Sequence, residues 1–380
     1  MTLSTTRILV LLLLLPPFAA LSSRAAAAQG IGRMLEGRVI AADGADTREV
    51  RVRVQAGVIA DSADVGEQGR FAVKVPDGAD SVTLLVDAAT GARSFHSARV
   101  ELGPAELRRE QEIILLPRAW TITAGTYAGE TVEIDIARAF EKPCATCSGF
   151  YRRSPLRVDS ARTIVAEWPA ERFPLRVAFD REWSGVNVSV RDSVVFWSQV
   201  QEMEDAFGAD IFRPATFAEA APHDNGPNDV ILVWFDPELK GLVGLGSAIS
   251  NNAAEIEYGD LRLDRAALSS RDAVPGLVAH ELMHTLGFGH TCAWRTVLAD
   301  VRRCPELVAP VPTPEDVAYV QLAARVRALQ RERRGRWALE AALAAKEPAR
   351  ATVASPGTWT SGSQPERSGH PVAGGAGDRL

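Results

Sequence analysis

Three histidines spaced four and six residues apart, in HELMHTLGFGH from His280 to His290, constrain this chain more than any other feature. Residues four apart on a helix share a face, so His280 and His284 can turn one ring nitrogen each toward a single point. The pattern predicts a helix over DAVPGLVAHELMHTL, Asp272 to Leu286. Glu281 sits about 100° round from His280, beside that point and not on it. Gly287 permits a left-handed turn that ends the helix, and His290 is brought back as a third ligand. Three neutral imidazoles leave the fourth tetrahedral position of zinc open to water, which is the arrangement of a catalytic site. Zinc brings the pKa of such a water down to about 7, and Glu281 can take its proton as general base and return it as general acid. Chance places the pattern H-E-x-x-H-x-x-G-x-x-H in a chain of this composition with probability on the order of 1 in 100,000.

The 380 residues are enough for two domains with real cores. Residues 1–28 read as a cleavable signal peptide, with Arg7, an apolar run from Ile8 to Leu15, and an A-x-A end at Ala28. The chain is therefore expected to be secreted or periplasmic, and no later run is long enough for stable membrane insertion. Its removal takes away Arg7 and Arg24 and no acid, moving the net charge from -6 to -8. That balance argues against nucleic acid or an anionic membrane as the main partner; a peptide or protein substrate and a monomeric state are the expectations. In an exported chain the four cysteines read as two local disulfides, Cys292 with Cys304 and Cys144 with Cys147. The C-x-x-C pair could also serve redox or metal chemistry, but no nearby histidine completes a site.

From 35 to 117 the chain alternates in short runs, EGRVIAA, VRVRVQAG, GRFAVKVP, SVTLLVDA and EQEIILLP, with turn residues between them. This predicts an antiparallel β-sandwich. LEGRVIAADG and GRFAVKVPDG resemble the carboxypeptidase regulatory-like domain, which implies an accessory module without chemistry of its own. His96 stands alone there and reads as structural. Residues 118–165, with the CATC pair, form a connector. Over 166–346 the signals turn α+β: strands FPLRVAFD, VILVWF and AEIEYGDLRLD, the last half-exposed, and a helix SVVFWSQVQEMEDAFG with a stripe of Val194, Trp197, Val200, Met203 and Phe207. The loop HDNGPND reads as a tight turn, with His223, Asp224, Asn225 and Asp229 as the alternative of a calcium or auxiliary metal site. Thr313 caps a final helix to about Ala345, whose arginines read as a solvated face, and 347–380 is a disordered tail.

Residues His280, Glu281, His284, Gly287 and His290 match the long zinc signature of the metzincin metallopeptidases, and HELMHTLGFGHT is most similar to the matrixins. The resemblance implies a metzincin-type zinc peptidase domain, one catalytic Zn2+, and a groove bordered by Gly244, Leu245, Gly246, Ser247, Ala248 and Ile249 that pairs with an extended substrate. The second zinc of matrixins has no ligands between Asp236 and Ser247. In that family a methionine about eight residues past the last histidine floors the site; here the position is Leu298, of similar volume. Asp300 stands where some metzincins have a tyrosine, so no phenolic stabiliser is implied. Cys144 could act as the cysteine latch of a matrixin propeptide, were it not for Cys147 beside it. The alternative to a zinc endopeptidase is a catalytically silent zinc-binding adhesion or interaction protein with the same fold.

Overall fold

A computed structural model describes residues 32–88, 95–134, 167–179, 188–216, 230–236, 239, 242–250, 255–269 and 273–346. The signal segment, Cys144 and Cys147, the HDNGPND loop and the tail lie outside these residues. Both sheet systems and the histidines belong to the compact unit that ends at Arg333.

Strands β1 (Arg33–Ala41), β2 (Val50–Ala56), β3 (Val58–Asp64), β4 (Arg70–Val75), β5 (Val82–Ala88), β6 (Ala98–Leu102) and β7 (Gln111–Leu115) form two sheets, ordered β4-β1-β7 and β3-β2-β5-β6. Alternation is the cause. In VRVRVQA, Val50, Val52 and Val54 are buried, while Arg51 and Arg53 turn outward to pair with Asp64 and Asp87. The inward faces of both sheets meet in one core that includes Leu35, Phe71, Val73, Leu84 and Leu115. Each such side chain stabilises the fold by about 1.5–3 kcal/mol when fully buried.

The sandwich is not purely antiparallel, which corrects the expectation from sequence: β1 and β7 run parallel, with Gly37 opposite Gln111 and Ala41 opposite Leu115. Parallel neighbours need a long crossover, and here β2 to β6, the whole second sheet together with β4, supply it. Strands β3 and β6 had no counterpart among the expected strands. VIADSAD is almost entirely exposed and has no apolar period, whereas ARVEL alternates for only five residues.

The expected connector begins with a hairpin, β8 (Ala119–Thr121) and β9 (Thr131–Glu133), followed by Ile134. Ile122 and Ile134 are buried in the larger, main core of the molecule, together with Ala42 and Leu116 at the ends of the β1 and β7 segments. His96 is buried, with Nε2 3.4 Å from the carbonyl of Ile134. It is the structural histidine that its isolation implied.

The α+β region contains β10 (Leu175–Phe179), α1 (Val190–Phe207), β11 (Phe212–Pro214), β12 (Val230–Phe235), β13 (Gly244–Ser250), β14 (Ile256–Leu263), α2 (Arg265–Ser269), α3 (Leu277–Thr285) and α4 (Pro314–Lys346). Its sheet runs β11-β10-β12-β14-β13, parallel throughout except for the antiparallel edge strand β13. VILVWF is a central strand, as its continuous apolar run implied, with Ile231, Val233 and Phe235 facing the main core. β14 is also interior, because β13 covers its other edge, and Gly259, Asp260 and Leu261 are buried rather than half-exposed.

Helix α1 starts at a capping box between Ser189 and Asp192 and stops at Gly208, whose φ is 67°. Its buried stripe is Phe196, Val200, Met203 and Phe207; Val194 is 62% exposed, so the expected stripe was displaced at its first turn. Helix α4 runs through Gly335 without interruption. Its arginines are not a simple solvated face. Arg325 donates to the carbonyl of Ala42 at 3.1 Å, Arg333 to that of Glu112 at 3.0 Å, and Arg327 and Arg331 pair with Glu167. Nothing local in a sequence reveals that another sheet will lie against those positions.

Candidate metal centre

Helix α3 begins five residues later than the expected start at Asp272. Pro275 and Gly276 form a turn, and Gly276 caps the helix at φ 76°, where an added Cβ would lie 2.4 Å from the carbonyl oxygen of Pro310. From there to Thr285 every helical residue except His280 is buried. Trp168 donates its indole N–H to the carbonyl of Thr285 at 2.9 Å and anchors the far end. Gly287, at φ 92°, then turns the chain back.

His280 and His284 meet His290 where the spacing requires. The three Nε2 atoms are 3.1, 3.2 and 3.3 Å apart. On a tetrahedral ion with bonds of about 2.0–2.1 Å, two nitrogens stand about 3.3–3.4 Å apart, so the donor set fits zinc in size and type. Tautomers are fixed from behind. Nδ1 of His280 faces the carbonyl of Val297 at 2.5 Å, and Nδ1 of His284 that of Phe288 at 2.7 Å. Each of those rings thus donates at Nδ1 and keeps the Nε2 lone pair for the common point. Burial lowers the pKa of His280 to about 4, aided by the neighbouring His290, and takes His284 well below its usual range. Burial also lowers His290, against the opposing charge of Asp300. These shifts favour the neutral, ligating form of each ring. Among the described residues no fourth histidine, cysteine or carboxylate joins them.

Glu281 lines the same cleft as the three histidines and accepts the backbone N–H of Gly246, on strand β13, at 2.5 Å through Oε2. Burial raises its pKa to about 8, against the pull of that N–H. At Gly246 only glycine fits, because the obstacle is backbone, whereas at Gly244 it is the Glu281 side chain. A Cβ on Gly244 would stand 2.4 Å from Oε1 of Glu281, and one on Gly246 2.1 Å from the Glu281 carbonyl oxygen. The small residues of GLGSA are what allow the edge strand to lie against the helix.

A cleft of about 510 Å³ opens over the histidines. Gly244, Leu245 and Gly246 line it, but the rest of the expected groove edge does not: Ser247 bonds to Asp260, Ala248 is in the core and Ile249 is 56% exposed. The opposite wall comes from the loop closed by the Cys292–Cys304 disulfide, with Val297, Asp300, Val301, Arg302 and Arg303. Leu298 on that loop is fully buried in the main core, next to the Val297 carbonyl that receives His280.

Comparison with known protein families, characterised proteins and solved structures found no match. The site therefore rests on its own geometry.

Sequence reasoning missed the residue that holds this loop. Asp316, in the first turn of α4, is completely buried. Its carboxylate accepts from the hydroxyl of Thr296, the N–H of Val297 at 3.1 Å, the indole of Trp294 at 3.3 Å, and both the N–H and hydroxyl of Thr313. One carboxylate thus caps the helix and fixes the peptide that orients His280. Its position in TPED signalled a helix start, and no local pattern distinguishes a carboxylate that caps from one that also captures a distant loop.

Proposed function

We propose that this chain is an exported zinc-dependent endopeptidase of metzincin type, in which residues 35–117 form a carboxypeptidase regulatory-like accessory domain. The observation that carries this is the convergence of three neutral imidazole Nε2 atoms on one point beside a non-ligating carboxylate, Glu281. His280, His284 and His290 would hold the ion. When bound, zinc supplies Lewis acidity that polarises a peptide carbonyl and makes a water a nucleophile near neutral pH.

The chain's own residues do the rest. Glu281, once released from the Gly246 N–H, takes a proton from the attacking water and delivers it to the leaving amine. Burial alone favours the protonated carboxyl; the positive charge of a bound ion would favour the carboxylate, the form that takes a proton. Strand β13 pairs with β14 on one side only among the described residues, so its outer edge at Gly244 to Gly246 offers backbone groups to an extended peptide, the Gly246 N–H among them once Glu281 leaves it. The single antiparallel strand beside the helix that carries the histidines supports this. Leu298 serves as the apolar floor, and its volume is close to that of the methionine it replaces. No helix among the described residues is long and apolar enough to cross a membrane, and the Cys292–Cys304 disulfide is consistent with an extracellular location.

The test is Glu281→Ala. Peptide hydrolysis should fall by at least about a hundredfold while one zinc per chain remains bound; hydrolysis at the wild-type rate would sink the assignment. A second reading, a zinc-binding interaction protein without turnover, draws on the engagement of Glu281 by Gly246. Zinc-loaded wild-type protein that cleaves no member of a broad peptide library would favour it.

A further inference from the structure

The cleft has two chemically distinct parts. Away from the imidazoles its wall is aliphatic, made by Leu242, Val243, Val274, Leu277, Val301 and Val308. Such a wall accepts an apolar side chain and rejects a charged one, because an ion placed there loses its hydration without gaining a partner. Arg302 and Arg303 also line the cleft. Arg303 carries further interactions of its own. Arg302 is exposed, and among the described residues no carboxylate pairs with its guanidinium; only its backbone N–H is engaged, by Asp300 Oδ1 at 2.9 Å.

Neither carboxylate on the cleft lining pairs with the Arg302 guanidinium among the described residues. Glu281 is turned to the Gly246 N–H, and Asp300 accepts the Arg302 backbone N–H. On a chain of net charge -6, the exposed Arg302 thus stands on the lining of a largely aliphatic cleft that the three imidazoles share. Resting on the peptidase reading above, we propose that Arg302 forms a carboxylate subsite. The cleft then selects peptide segments in which an aliphatic side chain, seated on the Leu242 and Val308 wall, lies next to a carboxylate. That group is either an Asp or Glu side chain or a free peptide C-terminus.

Binding tests this apart from turnover. Three labelled peptides of one sequence context would be titrated by anisotropy onto zinc-loaded Glu281→Gln protein: one with Leu-Asp and an amidated end, one with Leu-Asn and an amidated end, and one ending in Leu with a free carboxylate. One of the two carboxylate peptides should bind about two- to fivefold more tightly than the Leu-Asn amide at low salt, as a rim ion pair allows. Which one it is names the source of the carboxylate. The preference should shrink at about 0.5 M salt, disappear in Arg302→Gln and reverse in Arg302→Glu. A preference that survives in Arg302→Gln, or no preference at all, overturns the proposal. Cleavage by the Glu281-containing protein is scored separately. Preference without cleavage would remove the peptidase reading and leave the subsite, whereas cleavage without preference would do the reverse.

Discussion

The sandwich and the histidine-bearing region bury apolar side chains alike, but they differ in the polar groups they bury with them. In the sandwich the buried polar residues are few, Thr47, His96 and Gln111, and its ion pairs, such as Arg51–Asp64 and Arg48–Asp46, lie at the surface. In the other region Asp192, Glu204, Asp260, Glu281, His284, Thr296 and Asp316 are all buried. Each of these costs free energy unless it is hydrogen-bonded, and each is. Apolar burial alone gives a stable layer. Aiming a side chain at a point within tenths of an ångström takes directional bonds from behind it, which is where the second region places its buried polar atoms.

The largest expected effect breaks the second region's function without touching the first. His284→Ala removes one of three converging nitrogens, and zinc affinity should fall by more than the roughly 10- to 100-fold typical of an outer-shell change. Metal content after dialysis against a weak chelator measures it; retention of one tightly held ion would show that the three rings are not the ligands. The converse is Leu84→Ala in the sandwich, a fully buried side chain. It should cost about 2–5 kcal/mol in urea unfolding, while the folded fraction still binds zinc as wild type does. Loss of zinc in that variant would mean that the two regions are coupled more tightly than their separate cores suggest.

Asp316→Asn tests the directional bonds themselves. Asparagine keeps the volume but replaces one acceptor oxygen by a donor, which then faces Thr296, Thr313 or the N–H of Val297. Stability should drop by about 1–3 kcal/mol. Because Val297 carries the carbonyl that orients His280, zinc affinity should also fall, by about 10- to 100-fold. An equal loss of stability with unchanged zinc affinity would reduce Asp316 to a helix cap.

Much of this was legible in the sequence, for a physical reason. Period-two alternation and the four- and six-residue histidine spacing are local, so VRVRVQA and HELMHTLGFGH declare a strand and a helix-turn directly. The parallel β1–β7 pairing, the clasp of α4 arginines on Ala42 and Glu112, and Asp316 under Val297 are contacts between segments far apart in the chain. Their residues look like an ordinary strand, a charged helix face and a helix cap. The late start of α3 was legible in principle, since Pro275-Gly276 breaks DAVPGLV; the histidine pattern simply drew the helix too long.

The smallest effect sharpens the contrast through pH. Burial alone would raise the pKa of Asp192, but hydrogen bonds from Ser269 and Ser189 and the pairing with Arg265 outweigh it and bring the value to about 2. An unfolded chain holds an aspartate near about 3.9. The folded value lies below the unfolded one, so the carboxylate's contribution is complete above about pH 4 and is lost as pH falls toward about 2. The part of that stability lost between about pH 5 and pH 2.5 is about 1–2 kcal/mol. Asp46 and Asp64 on the sandwich are also lowered, through their arginine partners, but they are fully exposed and their pairs are screened. Urea unfolding at pH 5 and pH 2.5 should therefore show a smaller acid loss in Asp192→Asn than in wild type, while Asp64→Asn follows wild type. Histidine protonation is common to all three proteins and cancels in the comparison. If Asp192→Asn and wild type lose the same amount, the buried cap does not anchor α1 to α2 electrostatically, and its role is the geometric one of starting the helix.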